Sequence, residues 1–227
     1  SCSATSPLRW TEHWRKWQMA ETLEDRLSAR RTAPAAAQVD VVVGTSADSD
    51  RAAAIVSLIN EAYGYGRESK GGVLRRLAAG DAGSGANRVL HLALAQCDGG
   101  TEVVGCCSST LCTGWTPRGC GHWGLMAVRP DMQGRGIASA LAAAAEARLA
   151  AAGCHSVQIE YEYLGDAYSD RLFLWYESSA GFHCSQGKPR AGCHQFRRCR
   201  KRLEPAPGEE GSAAASLPRV LPLCQLM

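Results

Sequence analysis

The sequence predicts an α/β domain with a mixed sheet. Three observations carry that reading. Apolar periodicity switches between strand-like and helix-like along the chain, in the order β-α-α-β-β-β-α-β-α-β-β. Of 227 residues, 45% are apolar and 21% charged, enough to fill one core and too apolar for general disorder. Near the middle, a strand breaks and two glycines open an alanine-rich helix.

The elements follow in order. Val39 to Val43 is a short buried strand. Thr45 to Asp48 offers helix caps, and Ile55, Leu58, Ile59, Ala62 and Tyr63 then share one helical face. Val73, Leu74 and Leu77 mark a second short helix, and Asp81 to Asn87 a glycine-rich loop. Leu90, Leu92 and Leu94 alternate as a half-buried strand should. Asp98-Gly99-Gly100 turns the chain, and Glu102 to Ser109 returns beside it. After the loop Cys112 to Gly121 comes a fourth strand, His122 to Val128. The break Arg129-Pro130-Asp131 precedes a helix marked by Ile137, Leu141, Ala145 and Leu149, with alanine filling its other faces and Gly153 at its end. Ser156 to Tyr163 is a fifth strand, Arg171 to Ala180 a last helix stopped by Gly181, and Phe182 to Ser185 and Gln195 to Leu203 the closing strands.

Residues 1–37 read as a leader. Trp10, Trp14 and Trp17, followed by Leu23 and Leu27, fall at helical spacing, and an Ala/Pro linker follows. This helix is expected to pack on the domain surface, with a partner-binding helix as the sharper reading. The domain is expected over 38–204, and the Pro/Gly/Ala/Ser-rich stretch 205–227 as a disordered tail.

Composition bounds the partners. No apolar run approaches a membrane span, so no membrane partner is expected. A net charge of +3 gives no argument for nucleic acid. The basic run Arg197, Arg198, Arg200, Lys201 and Arg202 lacks aromatic interleaving beyond Phe196 and reads as a solvated edge strand. The 11 scattered cysteines read as mostly reduced thiols, and no thiol nucleophile is assigned to Cys106, Cys107 or Cys112. His183, Cys184, Cys193, His194 and Cys199 match no familiar zinc spacing, so no metal is expected. Glu12, Glu21, Glu24 and Asp25 are unlike a transit peptide. A cytoplasmic protein is expected, or an organellar one if a targeting segment has been removed; oligomeric state stays open between monomer and homodimer.

The informative stretch is Val128 to Ala138. The first turn of a helix has unpaired N–H groups and the positive end of the helix dipole, a natural seat for a pyrophosphate. Gly134 and Gly136 let the backbone approach phosphates, Ala138 is small, and Arg135 adds charge. A P-loop is excluded because no Gly-Lys-Ser/Thr is present. Gly134-x-Gly136-x-x-Ser139, with Glu160 downstream, comes near a dinucleotide fingerprint, but the glycines start too far past the strand and no second half exists. An ordinary glycine-opened helix without a ligand is the bland alternative.

Gln133-x-x-Gly136-x-Ala138 resembles the R/Q-x-x-G-x-G/A signature of GNAT acyltransferases. Gly124-Leu-Met-Ala-Val128-Arg-Pro resembles the family's fourth strand. Leu174-Trp-Tyr176-Glu-Ser-Ser-Ala-Gly181-Phe182 resembles its late tyrosine element, with one extra residue before the glycine. The resemblance spans residues 38–203 and implies a mostly antiparallel sheet that splays between the fourth and fifth strands, with acetyl-CoA as acyl donor. It implies that Met126, Ala127 and Val128 bond the pantetheine through backbone atoms. Gln133, Gly134, Arg135, Gly136, Ile137 and Ala138 would hold the pyrophosphate. Ser169 stands where many members place an asparagine near the cofactor.

The implied chemistry is N-acetyl transfer to the primary amine of a small molecule or peptide by direct attack. Tyr176 is the implied acid for the departing thiolate. For the base, His122 stands where relatives often carry glutamate, Glu160 and Glu162 on the fifth strand are rivals, and a water chain is a further option. The alternative function is a non-catalytic acyl-CoA-binding or sensing domain. The acceptor pocket is expected to involve Tyr63 to Gly72 and Cys112 to Gly121.

Overall fold

Seven strands pair in the order β1-β2-β3-β4-β5-β7-β6, and every neighbouring pair is antiparallel except β4 with β5. The computed structural model describes residues 38–97, 100–187, 189 and 194–204. The expected tryptophan helix of the leader and the expected tail lie outside the described residues. In chain order the elements are β1 (Val39–Val43), α1 (Ala52–Tyr63), α2 (Lys70–Gly80), β2 (Arg88–Cys97), β3 (Gly100–Thr110), β4 (Cys120–Val128), α3 (Ile137–Ala151), β5 (Ser156–Tyr163), α4 (Ala167–Phe173), β6 (His183–Cys184) and β7 (Gln195–Arg202). This is the order the sequence predicts.

Strand alternation sorts side chains onto two faces. On one face, Ile55, Leu58 and Ile59 of α1 and Val73 and Leu77 of α2 bury Leu90 and Leu92 of β2, Cys106 of β3 and Ala127 of β4. On the other, Leu141, Ala145 and Leu149 of α3 pack on Ala93, Cys107, Trp123, Val157 and Ile159. Alanine on the remaining positions lets α3 lie close to the sheet while costing least in helix propensity. Local caps fix the helix starts. Ser69 Oγ accepts the Gly72 N–H of α2 at 3.1 Å, and Asp166 Oδ1 accepts the Ser169 N–H of α4 at 2.8 Å.

Several expectations are corrected. Val39–Val43 is an edge strand with no buried residue, not a buried one. The last helix is not a regular helix over 171–180: α4 ends at Phe173 and the chain continues as a π-helical turn, Leu174–Ser179. The wider turn absorbs the extra residue before Gly181 and closes with Ala180 N–H to Trp175 O at 2.8 Å. The basic strand β7 is not an edge strand. It lies between β5 and β6, and Arg197 is fully buried, held by both carboxylate oxygens of Glu177 at 2.7 and 2.8 Å. A buried guanidinium needs such a bidentate partner to offset lost hydration. Among the described residues, no helix is long and apolar enough to cross a membrane.

The thiol reading holds for Cys106, Cys107, Cys120 and Cys154 and fails at Cys112, which is disulfide-bonded, and at Cys184 and Cys199, which face each other across β6 and β7 and form a disulfide. Glu177 lies beside them, giving three ligand-type atoms within 4.8 Å of one another. The two sulfurs are joined to each other and the carboxylate is bound to Arg197, so the group offers a cation little in this state. His183 is exposed, His194 pairs with Glu162, and Cys193 lies outside the described residues.

Candidate active site

The sheet opens at β4. This strand pairs with β5 only at Cys120–Ser156, Gly121–Val157 and His122–Gln158. Past that point β4 continues against β3 alone, and β5 continues against β7 as far as Tyr163–Gln195. The facing edges of residues 123–128 and 159–163 therefore diverge into a gap. A bulge accompanies the opening: the β3 register shifts between Cys106 and Ser108, and opposite it Leu125 adopts φ 51°. A non-glycine residue in the left-handed region stores strain, which persists where the surroundings enforce it. Tyr63, at the end of α1, donates its hydroxyl to Met126 O at 3.1 Å and ties the helix to this bulge.

At the far end of β4 the chain makes a short turn through Pro130–Met132 and enters α3. Gly134 and Gly136 take φ 73° and 81°, conformations that L side chains rarely adopt. Gly136 is the N-cap, and the first helical hydrogen bond runs from Ala140 N–H to Gly136 O at 3.0 Å. The N–H groups of Ile137, Ala138 and Ser139 are thus left without helical acceptors at the positive end of the dipole. A Cβ placed on Gly136 would meet no atom within 4 Å, so the space before this turn is open to a ligand. Gln133 donates to Val128 O at 3.1 Å, pinning the turn to the strand end. The Arg135 side chain is exposed, whereas Ile137 is buried in the core and offers the site its backbone. Met126 and Val128 are half-buried beside the gap, and the side chain of Ala127 is buried against α1.

His122 is the last residue of β4 that pairs with β5. Its Nδ1 lies 2.8 Å from Gln158 O, the carbonyl at the start of the gap. A carbonyl can only accept, so Nδ1 carries the proton and Nε2 keeps its lone pair. Nε2 is directed toward Gly124: a Cβ there would lie 2.9 Å from it. Trp115 packs edge-on over the imidazole, ring centroids 4.9 Å apart. Burial lowers the His122 pKa from its ordinary value, partly offset by the Gln158 carbonyl and by Glu160. The ring is therefore neutral at pH 7 and able to accept a proton.

Glu160 lies on the same sheet face but is ion-paired to Arg198 at 2.6 Å, and Glu162 is exposed and paired with His194. Ser169 is buried, and its hydroxyl is committed to the Asp166 capping box, bonding Asp166 O at 3.0 Å and Asp166 Oδ1 at 2.8 Å.

Tyr176 sits in the π-helical turn, buried against Trp175, Tyr161, Trp123 and Phe182 with ring centroids 4.8, 4.9, 5.8 and 6.3 Å away. Burial above all, then Tyr168, Cys107 and Tyr161, pushes its pKa far above the usual phenol value, so it remains protonated at any physiological pH. The neighbouring aromatic layer is braced by Glu177, which accepts from Tyr161 Oη at 2.6 Å and from Arg197.

A sheet that opens beside β4, a glycine turn with unpaired N–H groups at its end and a neutral histidine at the start of the gap can be compared with known proteins. The model of the acetyltransferase (GNAT) family matches residues 53–181, more than half of the chain. The chain belongs to the GNAT acetyltransferase family. Among curated proteins no match was found. The fold is similar to that of the PaiA N-acetyltransferase of Thermoplasma acidophilum in complex with coenzyme A, with 11% identity, 73% of this chain and 99% of that chain covered, and TM-score 0.53. It is similar to a GNAT-family acetyltransferase of Streptococcus pneumoniae, with 14% identity, 74% and 100% covered, and TM-score 0.53. A chain of the NatC complex bound to Gag peptide and CoA gives 18% identity, 74% and 99% covered, and TM-score 0.56. Identities this low speak for the GNAT fold, and the fold agrees with the mixed sheet found here.

Sequence reasoning missed several features of this region. Tyr63 is expected on a helix face and at the start of an acceptor-pocket loop, but its hydrogen bond to Met126, which spans 63 residues, has no sequence signal. Leu125 carries no signal of positive φ. Arg88 and Thr110 had no motif to mark them, yet Arg88 Nε donates to Thr110 Oγ1 at 2.9 Å in the strand position next to His122.

Proposed function

We propose that this GNAT protein transfers an acetyl group from acetyl-CoA to the primary amine of a small molecule or peptide by direct nucleophilic attack. The observation that carries the reading is the coincidence, at one strand, of an open edge, an anion-binding turn at its end and a neutral histidine at its start. The turn Gln133 to Ala138 fits a pyrophosphate because its N–H groups lack acceptors and nothing blocks the approach to Gly136. The open edge of Met126 to Val128 is suited to bond pantetheine amides in the manner of an added strand.

His122 then takes the proton of the attacking amine on Nε2, its Nδ1–H held by Gln158 O. The amine nitrogen bonds to the thioester carbon, and a backbone N–H near Val128 stabilises the oxyanion. As the carbon–sulfur bond breaks, Tyr176 donates its proton to the departing thiolate, and solvent restores the phenol. The products are an N-acetylated amine and CoA, with the amine's lost proton balanced by that gained by sulfur.

Titration calorimetry with acetyl-CoA, followed by thiol-release assays on an amine panel, tests the reading. Binding with turnover of an amine supports it. Binding without turnover of any amine leaves an acyl-CoA-binding domain, and no binding removes the transferase reading altogether.

A further inference from the structure

The strand registers place five polar side chains in one row across the sheet. Arg88 of β2 is opposite Thr110 of β3, Thr110 opposite His122 of β4, His122 opposite Gln158 of β5, and Gln158 opposite Arg200 of β7. All face the side that carries α1 and α2. Arg88 is two residues from Leu90, which lies beneath those helices, and His122 is opposite in sense to Trp123, which lies beneath α3. Side-chain bonds confirm the common face: Arg88 Nε to Thr110 Oγ1 at 2.9 Å, and Arg200 Nε to Gln158 Oε1 at 2.8 Å. Thr110 and Gln158 are buried, His122 is half-buried and the two arginines are exposed. The row is a floor centred on His122 with a guanidinium on each flank. At about 4.8 Å per strand, each arginine backbone stands about 10 Å from that of His122, within reach of its long side chain.

These flanks are not neutralised. Arg76 is paired with Glu68 and Arg198 with Glu160, but Arg88 and Arg200 have no carboxylate within ion-pair distance among the described residues. Their outer N–H groups remain available. Two carboxylates act here as well: Glu68 raises the Arg88 pKa, and at His122 Glu160 acts upward more strongly than Arg88 acts downward. The guanidiniums on the two flanks repel acceptors whose only charges are positive, such as polyamines or lysine-rich peptides. An anionic group on the acceptor offsets that repulsion through charge-assisted hydrogen bonds to a guanidinium.

We infer that the acceptor is an amine carrying an anionic group, carboxylate or phosphate, and that Arg88 receives this group, aided by Arg200 across the floor, while the amine faces His122. The inference rests on the transferase reading above and adds the class of acceptor. Arg88 and Arg200 act as specificity-determining residues on the substrate and take no part in proton transfer.

Matched pairs of amines test it: β-alanine against β-alaninamide, and O-phosphoethanolamine against ethanolamine, with spermidine as the polycation. Each is added to the CoA-bound protein, reading the unfolding midpoint, and to the acetyl-CoA reaction, reading thiol release. The anionic member of at least one pair is expected to raise the midpoint and to give the higher kcat/KM, and the pair that responds tells carboxylate from phosphate. Arg88→Gln should lower kcat/KM for that amine about ten- to a hundredfold, chiefly through KM, and Arg88→Lys should recover part of it. Arg200→Gln should act in the same direction and more weakly. The ligand-free midpoints of the variants check that they fold, which is expected at exposed positions. Equal responses within both pairs, including no response from any amine, overturn the inference, as does a preference for spermidine. CoA binding and turnover of neutral amines are read on the same samples, so loss of the transferase reading is seen separately from loss of the acceptor class.

Discussion

The two borders of the β4 gap are built on different principles. The proposed phosphate-side border, residues 128–138, would work through backbone: two glycines at positive φ, a helix start and unpaired N–H groups. The proposed acceptor-side border would work through side chains: His122, Tyr176 and the arginine-flanked row come from strands and turns far apart in sequence. A backbone site tolerates many side chains but few changes of conformation. A side-chain site tolerates changes of neighbours but not of the reacting group. Substitutions at the two borders should therefore fail in different ways.

The largest effect is expected on the backbone side. Gly136→Val forces a β-branched residue into φ 81° and places its side chain in the open approach to the turn. Several N–H to phosphate contacts would be lost together, weakening acetyl-CoA association by about a hundredfold or more in calorimetry. The unfolding midpoint should fall by much less, because no core contact is removed. If affinity survives this substitution, the cradle lies elsewhere.

Tyr176→Phe should give the opposite pattern. The ring keeps its packing on Trp123, Tyr161 and Trp175, so acetyl-CoA affinity and stability change little. Losing the proton donor should lower kcat about a hundredfold or more. Wild-type turnover in this variant would leave the tyrosine a packing residue only.

The contrast also explains what the sequence disclosed. The backbone border is contiguous, and its physics is carried by residue types that have few other uses at a strand-to-helix junction: Pro130, Gly134, Gly136. The element order was equally legible because periodicity is a local property. The acceptor border was legible only in part. His122 and Tyr176 could be singled out by resemblance, but the tautomer that equips His122 depends on a carbonyl 36 residues away. Arg88 and Arg200 meet through three intervening strands, and register across those strands is not written in any one of them. Arg197 misled for the same reason. It belongs to a run of exposed basic residues, and its burial depends on Glu177 supplied by the π-helical turn. The disulfide had no spacing signal, since Cys184 and Cys199 are joined only by the pairing of β6 with β7.

In the proposed reaction the base form of His122 is the active one, and burial lowers its pKa from the usual histidine value of about 6.5. The midpoint of the acidic limb of the kcat/KM profile should therefore lie below that value. His122→Ala should remove this limb and reduce kcat/KM at neutral pH by about tenfold to a hundredfold, less than a full general-base contribution because water can reach the position. Retention of the wild-type acidic limb in this variant would assign the base to another group.

His91 supplies the control and the smallest expected change in rate. It lies on β2 facing α3, with Nε2 2.8 Å from Ser109 Oγ, and Arg148 donates to the same hydroxyl at 3.1 Å. Burial first, then Arg148, pulls its pKa down to about 4. Between about pH 4 and about pH 6.5 the unfolded chain binds a proton that the folded one refuses, so stability rises with pH across this window and is lost as pH falls through it. Integrated over the window, the contribution is about 3 kcal/mol. His91→Gln keeps a hydrogen-bonding side chain toward Ser109 without a titrating ring. In thermal melts from pH 7 to pH 4 its midpoint should decline less steeply than that of the wild type, while kcat/KM at neutral pH stays within about twofold, since His91 lies on the sheet face opposite His122. An unchanged pH dependence of melting would mean that folding does not lower the His91 pKa. A loss of turnover as large as that of His122→Ala would instead join the two histidines in one functional unit and erase the division between the sheet faces.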